Sequence, residues 1–148
     1  MSGLDFLDTN ILVYAYDSST PEKQKIAQSI LTQAVNNENA FVSTQVLGEF
    51  FTVITHKVKN SIGKDEALDI IRCLKFARIL EVDFPMVIKG IEICRRYSIS
   101  YWDSLIISAA ERAGCKRLLS EDLNDGQKYN SVVVHNPFLK AGNKNKRC

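Results

Sequence analysis

The chain has 148 residues, a length typical of one domain. Its composition of 45% hydrophobic and 24% charged residues is that of an ordinary folded protein and excludes a disordered chain, a collagen, a coiled coil and a disulfide-rich scaffold. No apolar run approaches the about 20 residues that cross a bilayer. The first residues also lack the basic and apolar segments of a signal peptide, so we expect a cytoplasmic protein.

The net charge of +2 is unevenly distributed along the chain. The last nine residues hold four lysines and arginines and no acid, which leaves 15 basic and 17 acidic residues in the rest. We therefore expect residues 1–139 to form one domain and residues 140–148 to form a basic tail. Such a tail either stays disordered in solvent, which we expect here, or contacts nucleic acid.

Hydrophobic periodicity predicts strands that alternate with helices. The predicted strands cover residues 4–7, 40–43, 78–82, 117–120 and 132–134. Helices are predicted at residues 11–16, 21–36 and 46–58, after Gly63, from Pro85, and from Trp102 to Gly114. Thr20 and Pro21 are typical of a helix start, with Thr20 as the N-cap. This order predicts an α/β fold with a mainly parallel sheet of four to five strands and helices on both faces.

Two acidic residues follow predicted strands. Asp8 comes directly after the first strand, and Asp122 comes two residues after Ser120, at the end of a later strand. In parallel sheets ligands bind beyond the carboxyl ends of the strands, so the two carboxylates converge if both strands are central. Taken singly, Asp8 is equally explained as a helix cap and Asp122 as a turn residue.

Two further acids lie on apolar faces of predicted helices. Glu49 shares a face with Val53, four residues on, and Asp103 shares one with Ile107. A carboxylate on such a face is costly unless it has a partner. The alternatives are that Glu49 lies at the edge of its apolar stripe and that Ser100-x-x-Asp103 is a variant capping box.

Together, the four acids predict one carboxylate cluster. Like charges this close stay ionised only beside a compensating cation. A site of oxygen ligands suits Mg²⁺, with Mn²⁺ as a substitute, and either one or two ions. The four cysteines and two histidines are too far apart in the sequence for a zinc motif.

Four segments carry a family resemblance. They are Leu7-Asp8-Thr9-Asn10, Val46-Leu47-Gly48-Glu49-Phe50, Tyr101-Trp102-Asp103-Ser104 and Leu119-Ser120-Glu121-Asp122. Through them the sequence resembles the PIN-domain ribonucleases over about residues 4–138, and most closely the VapC-like toxins of bacterial and archaeal toxin–antitoxin pairs. The resemblance implies a PIN-like three-layer α/β/α fold.

The resemblance also implies roles for the acids. The quartet would be Asp8, Glu49, Asp103 and Asp122, with Asp8 and Asp103 as the most direct Mg²⁺ ligands. Thr9 and Asn10 would orient Asp8, and Ser120 would form hydrogen bonds around the site. Asp125, three residues past Asp122, is an alternative fourth acid.

The implied activity is that of a metal-dependent endoribonuclease. Water, deprotonated with help from a nearby carboxylate, would attack an RNA phosphodiester in line and leave a 5′-phosphate and a 3′-hydroxyl. Trp102 either stacks on a base or packs against the sheet. Basic residues must surround an acidic site that binds RNA. The candidates are Lys57, Lys59, Arg95, Arg96, Lys116 and Arg117.

The resemblance further implies a small antitoxin partner and a homodimer. We expect the antitoxin in a groove between the helices of residues 21–36 and 45–59, whose apolar faces are wide. Three alternatives remain: an RNA-processing PIN factor without an antitoxin, a non-catalytic RNA- or protein-binding module, and an aspartyl-phosphate phosphotransfer domain. For the last of these, the sequence lacks a required acid, because Asn10 stands at the second acidic position of the D-x-D motif.

Overall fold

The computed structural model describes residues 3–139, without the side chain of Phe76. The expected basic tail, residues 140–148, lies outside the described residues. The strands are β1 (Asp5–Leu7), β2 (Ala40–Ser43), β3 (Arg78–Leu80), β4 (Arg117–Leu119), β5 (Lys128–Tyr129) and β6 (Val132–His135). They form one sheet in the order β3-β2-β1-β4-β6-β5, and all neighbours are parallel except β5 and β6.

The described α-helices pack in two groups. Their bounds are α1 (Thr9–Tyr16), α2 (Pro21–Asn37), α3 (Thr44–His56), α4 (Lys64–Cys73), α5 (Phe84–Tyr97) and α6 (Tyr101–Arg112). Helix α1 packs against α2 and α3, and α3 packs against α4, whereas α5 packs against α6. This arrangement confirms the predicted three-layer α/β/α fold. None of the described helices combines the length and the apolar character needed to cross a membrane.

Burial explains the central elements. Phe6 and Leu7 of β1 are both buried, as expected for a parallel strand that is covered on both faces. Every residue of α6 from Ser104 to Ala110 is buried too, because that helix lies between the sheet and α5. A helix that is buried on all sides needs apolar and small residues throughout, which this segment has.

Serine residues cap the helices that carry Glu49 and Asp103. At α3 the Ser43 hydroxyl accepts a hydrogen bond from the backbone N–H three residues on, and Ser100 does the same at α6. Helix α2 begins at Pro21 as predicted. The Thr20 side chain, however, makes no cap hydrogen bond, and its hydroxyl is buried without a partner.

The chain reverses direction across the sheet at β1. It runs from β1 outward to β2 and β3, and then returns to β4 on the other side of β1. Leu7 and Leu119 pair in register there, and the Asp8 N–H donates to the Leu119 carbonyl at 3.0 Å. Asp8 and Ser120 therefore leave the sheet side by side, at the switch point where ligands of such folds bind.

Candidate active site at the carboxyl edge of the sheet

Asp8 is the most buried acid of the predicted quartet, with 4% of its surface exposed. Its Oδ1 accepts a hydrogen bond from the Thr9 N–H at 2.7 Å, and its Oδ2 accepts one from the Ser120 hydroxyl at 2.7 Å. Burial raises the pKa of Asp8 to about 7; the two hydrogen bonds lower it, and the charges of Asp122 and Glu49 raise it. Asp8 thus caps α1 and also lies in the acidic cluster.

Glu49 reaches the same site from α3. Its Oε1 accepts a hydrogen bond from the Thr9 hydroxyl at 2.6 Å, and its Oε2 accepts one from Gln45 Nε2 at 3.3 Å. Thr9 therefore links Asp8 and Glu49, one through its backbone and the other through its side chain. Gln45 Nε2 also donates to the carbonyl of Trp102 at 3.1 Å, which ties α3 to the start of α6.

Asp103 and Asp122 complete the cluster. Asp103 lies in the first turn of α6, and burial raises its pKa, while Ser100 lowers it and the charges of Asp122 and Glu49 raise it. Asp122 is exposed, and its N–H donates to the Ser120 hydroxyl at 3.1 Å. Because Asp122 and Glu49 act on both Asp8 and Asp103, the four acids share one region.

The donor set fits a hard divalent cation. Within residues 3–139, no three Asp, Glu, His or Cys side chains are already arranged as ligands of one ion. The carboxylates of Asp8 and Glu49 are hydrogen-bonded to Thr9, Ser120 and Gln45 instead. All available ligands are nonetheless oxygens, and Gln45 Oε1 beside them is buried without a partner. Oxygen ligands in a cluster of like charge are what Mg²⁺ or Mn²⁺ prefers.

Two supporting residues occupy positions that differ from the implied ones. Asn10 makes its side-chain contact with the Glu121 N–H, which donates to Asn10 Oδ1 at 3.4 Å, and its Nδ2 is buried without a partner. Asp125 Oδ1 accepts a hydrogen bond from the Asn136 N–H at 2.8 Å, at the end of β6. Asp122 lines the cleft between α1 and α3, and Asp125 is not among the residues that line it.

A cleft of about 1120 Å³ extends from the acids between α1 and α3. Glu49 and Asp122 line one end, and Lys57 and Lys59 line the other. Trp102 lies at its rim with 61% of its surface exposed, so the alternative that this side chain packs against the sheet is wrong. The cleft therefore combines acidic, basic and aromatic groups on one open surface.

Two of the predicted basic candidates are engaged elsewhere. Arg117 donates two hydrogen bonds to the carboxylate of Asp5, at 3.1 and 2.8 Å. Arg96 donates to Asn130 Oδ1 at 3.3 Å and lies over the ring of Tyr97. Lys57 and Lys59 are the candidates that line the cleft.

One group of contacts beside the cluster has no signal in the sequence. Glu121 accepts a hydrogen bond from the Tyr14 hydroxyl at 2.6 Å and forms an ion pair with Lys23 at 2.5 Å. These partners lie 107 and 98 residues away along the chain. Local spacing rules reach only a few residues, so they do not reveal such a contact.

Comparison with known proteins decides the family. A model described as the PIN domain matches residues 6–126. The chain belongs to the PIN domain family. No curated protein sequence matches it.

Solved structures share this PIN fold at low sequence identity. VapC20 of Mycobacterium tuberculosis, named as a sarcin-ricin loop cleaving toxin, is 18% identical with a TM-score of 0.64, over 80% of this chain and 91% of that one. VapBC2 of Rickettsia felis, bound to promoter DNA, is 21% identical with a TM-score of 0.66, over 90% and 98%. DNA-bound VapBC of Salmonella typhimurium is 14% identical with a TM-score of 0.66, over 92% and 99%.

Proposed function

We propose that this PIN domain is a Mg²⁺-dependent endoribonuclease and the toxin of a toxin–antitoxin pair. The observation that carries the proposal is the cluster of four acids at the switch point of the sheet, in which burial and neighbouring carboxylates raise the pKa of Asp8 to about 7. A cluster of this kind demands a cation for full ionisation. PIN membership speaks against the aspartyl-phosphate alternative.

The four acids divide the work of the site. Asp8 and Asp103 would hold Mg²⁺, or Mn²⁺ in its place, with Glu49 and Asp122 beside them. Such an ion, when bound, would supply Lewis-acid stabilisation of the charge that develops on the phosphate and would lower the pKa of water. Thr9 fixes the orientation of Asp8 and Glu49. Asp122, the exposed acid, accepts the proton of the attacking water on a carboxylate oxygen and passes it to solvent.

The cleft supports single-stranded RNA as the substrate. The acids repel phosphate groups, so binding needs compensating charge, which Lys57 and Lys59 supply along the cleft. The exposed ring of Trp102 lies beside the acids, where it can stack on an unpaired base. The faces of bases inside a duplex are covered by the neighbouring bases of the stack, so such a contact favours a single strand.

Cleavage of single-stranded RNA by the purified chain tests the activity. We expect cleavage with Mg²⁺, loss in excess EDTA and recovery with Mn²⁺. Asp8→Asn and Asp103→Asn are each expected to lower the cleavage rate about a hundredfold or more, because each removes a charge that acts in the transition state. The Ser100 cap of α6 uses the backbone N–H of Asp103, so Asp103→Asn leaves that cap intact.

Asp125→Asn is the matched control and retains activity, because Asp125 contacts Asn136 outside the cleft. End mapping of the products is expected to give a 5′-phosphate and a 3′-hydroxyl. Full activity in EDTA contradicts the metal-dependent mechanism. RNA binding without cleavage under any divalent cation identifies the non-catalytic module instead, and cleavage by a protein with no partner antitoxin identifies an RNA-processing factor.

The antitoxin is proposed to occupy the same cleft. A structure named as a toxin–antitoxin complex from Klebsiella pneumoniae shares the fold, at 16% identity and a TM-score of 0.63. The walls of the cleft include Val13, Val53 and Val58, which offer apolar contacts to a peptide. A basic side chain of that peptide would reach Glu49 and Asp122 at the acidic end and pair with them.

The homodimer is proposed to use the exposed face of α5. Phe84, Ile88 and Ile91 recur at helical spacing and are 75%, 43% and 44% exposed. A solvent-exposed apolar stripe is typical of a protein–protein interface. Phe84→Ser is expected to shift the chain toward monomer in sedimentation at fixed concentration. Val35→Ser, at an apolar residue 48% exposed on α2, is the control. A wild-type chain that sediments as a monomer contradicts this proposal.

A further inference from the structure

The segment that follows β4 carries two groups of the site on three residues. Ser120 donates to Asp8 Oδ2 at 2.7 Å, and Asp122 lines the cleft. The Ser120 N–H donates to the carbonyl of His135 at 3.1 Å, which ties the start of the segment to the sheet. Beyond Ser120 the segment leaves the sheet, and there the Asp122 N–H donates to the Ser120 hydroxyl at 3.1 Å while Glu121 contacts the neighbouring helices. We call Ser120, Glu121 and Asp122 the site loop.

Glu121 anchors the middle of the site loop to two helices. Its carboxylate accepts hydrogen bonds from the Tyr14 hydroxyl on α1 at 2.6 Å and from Lys23 Nζ on α2 at 2.5 Å. Its N–H donates to Asn10 Oδ1, also on α1, at 3.4 Å. Three contacts to two helices hold one residue, and that residue directly precedes Asp122.

Lys23 is the centre of this anchor. Besides Glu121, its ammonium group contacts the Tyr14 hydroxyl at 3.2 Å. The same group lies 4.8 Å from the centre of the Tyr14 ring and 5.8 Å from that of Phe138. The two aromatic rings pack edge to face at 4.9 Å. The side chains of Lys23 and Glu121 are 34% and 26% exposed, so water screens this pair less than a fully exposed one.

The anchor also removes one negative charge from the acidic cluster. Glu121 and Tyr14 line the cleft that Asp122 and Glu49 line. Glu121 is therefore a fifth carboxylate at a site that uses four. Pairing with Lys23 neutralises it and turns it toward the helices, so it neither repels the other acids nor competes with them for a cation.

We infer that Lys23 is a positioning residue of the nuclease site: through Glu121 it fixes the site loop that carries Ser120 and Asp122. This inference rests on the proposed ribonuclease activity. Lys23 is not among the residues that line the cleft, and it acts on the position of Asp122 and on the charge of Glu121.

Three variants and one control test the inference: Lys23→Met, Glu121→Gln, the double variant, and Lys25→Met at an exposed lysine of the same helix. Lys23→Met is expected to lower kcat about tenfold with KM for RNA within about twofold, because small displacements of a reacting group cost up to about a hundredfold. The double variant recovers only the part of that loss that the unpaired carboxylate of Glu121 causes, and the part that the displacement of Asp122 causes remains. Lys25→Met matches the wild type.

Hydrogen exchange gives a readout that does not depend on activity. The amides of Glu121 and Asp122 are expected to exchange about tenfold faster in Lys23→Met than in Lys25→Met, because the loop opens more often. Equal exchange rates overturn the anchor. A raised KM with unchanged kcat assigns Lys23 to RNA binding and overturns the positioning role. A double variant no more active than Lys23→Met overturns the charge argument.

The proposed function and the role of Lys23 are tested by different measurements. A wild-type chain without ribonuclease activity under Mg²⁺ or Mn²⁺ contradicts the nuclease, and the exchange rates of the site loop still decide whether Lys23 anchors it.

Discussion

Asp8 shows how one residue couples stability to function. It caps α1, and it also lies buried among carboxylates, where its pKa is raised to about 7 from an ordinary 3.8. The folded state therefore binds a proton that the unfolded state has lost between these two values. Stability in metal-free buffer falls as pH rises through this window, by up to about 4 kcal/mol for a shift of this size.

Asp8→Asn is accordingly expected to stabilise the metal-free protein more at pH 8 than at pH 5, because at pH 5 the folded wild type still holds Asp8 neutral and only part of the stability loss has occurred. Thermal unfolding of both proteins in EDTA at the two pH values measures this. Added Mg²⁺ at pH 8 is expected to narrow the difference in stability between the two proteins, because only the wild type offers the full set of carboxylate ligands. A less stable Asp8→Asn at pH 8 contradicts the burial of a charge at this site.

At the scale of the element, two glycines show the effect of backbone conformation on stability without an effect of packing. Gly114 follows α6 with a φ of +78°, and its N–H donates to the Glu111 carbonyl while that of Cys115 donates to Ala110. Gly48 lies inside α3 in helical conformation and faces the cleft. A Cβ added at either position meets nothing within 4 Å.

Gly48→Ala is therefore expected to raise the free energy of unfolding by about 1 kcal/mol, because alanine is the better helix former. Gly114→Ala lowers it by about 1–2 kcal/mol, since an L-residue is strained in the left-handed region. Urea unfolding of both variants checks the signs. Two changes of the same sign contradict the argument, because the side chain added is identical.

The sequence predicts the elements that carry a local apolar pattern better than those that do not. Phe6 and Leu7, or the apolar spacing of α3, carry a local signal, and those elements lie where they were predicted. Strand β5 was missed, because Lys128–Tyr129 is too short to show alternation and exists only through its pairing with β6. The four acids were predicted, since each follows a strand or interrupts an apolar helix face.

The rest of the site depends on tertiary contacts that no local pattern encodes. Gln45 joins α3 to α6, and Lys23 meets Glu121 from 98 residues away. Trp102 is exposed although its size favours burial, because the residues that follow it in α6 fill the space against the sheet. The sequence thus predicts the four acids of the proposed site and leaves unspecified the residues that hold them in place.

At the scale of the whole molecule, the cleft brings two ligands into competition. One end holds the acids that would bind Mg²⁺, and the walls that lead away from it offer apolar contacts to a peptide. A basic side chain of the proposed antitoxin would pair with Glu49 and Asp122, beside the proposed Mg²⁺ ligands Asp8 and Asp103, so that each ligand would lower the affinity for the other by the same factor. The proposed function therefore predicts that inhibition and metal occupancy are coupled through Glu49 and Asp122.

Inhibition by the antitoxin is expected to weaken as Mg²⁺ rises. The candidate antitoxin to be tested is a small protein encoded in a neighbouring reading frame. Its half-inhibiting concentration is measured at increasing Mg²⁺ with total ionic strength held constant, because salt alone weakens charge pairs. An antitoxin whose basic residue is replaced by glutamine is the control, and its weaker inhibition is expected to be independent of Mg²⁺. Inhibition by the unaltered antitoxin that does not change with Mg²⁺ shows that the partner blocks the entry of RNA at the Lys57 end without reaching the acids.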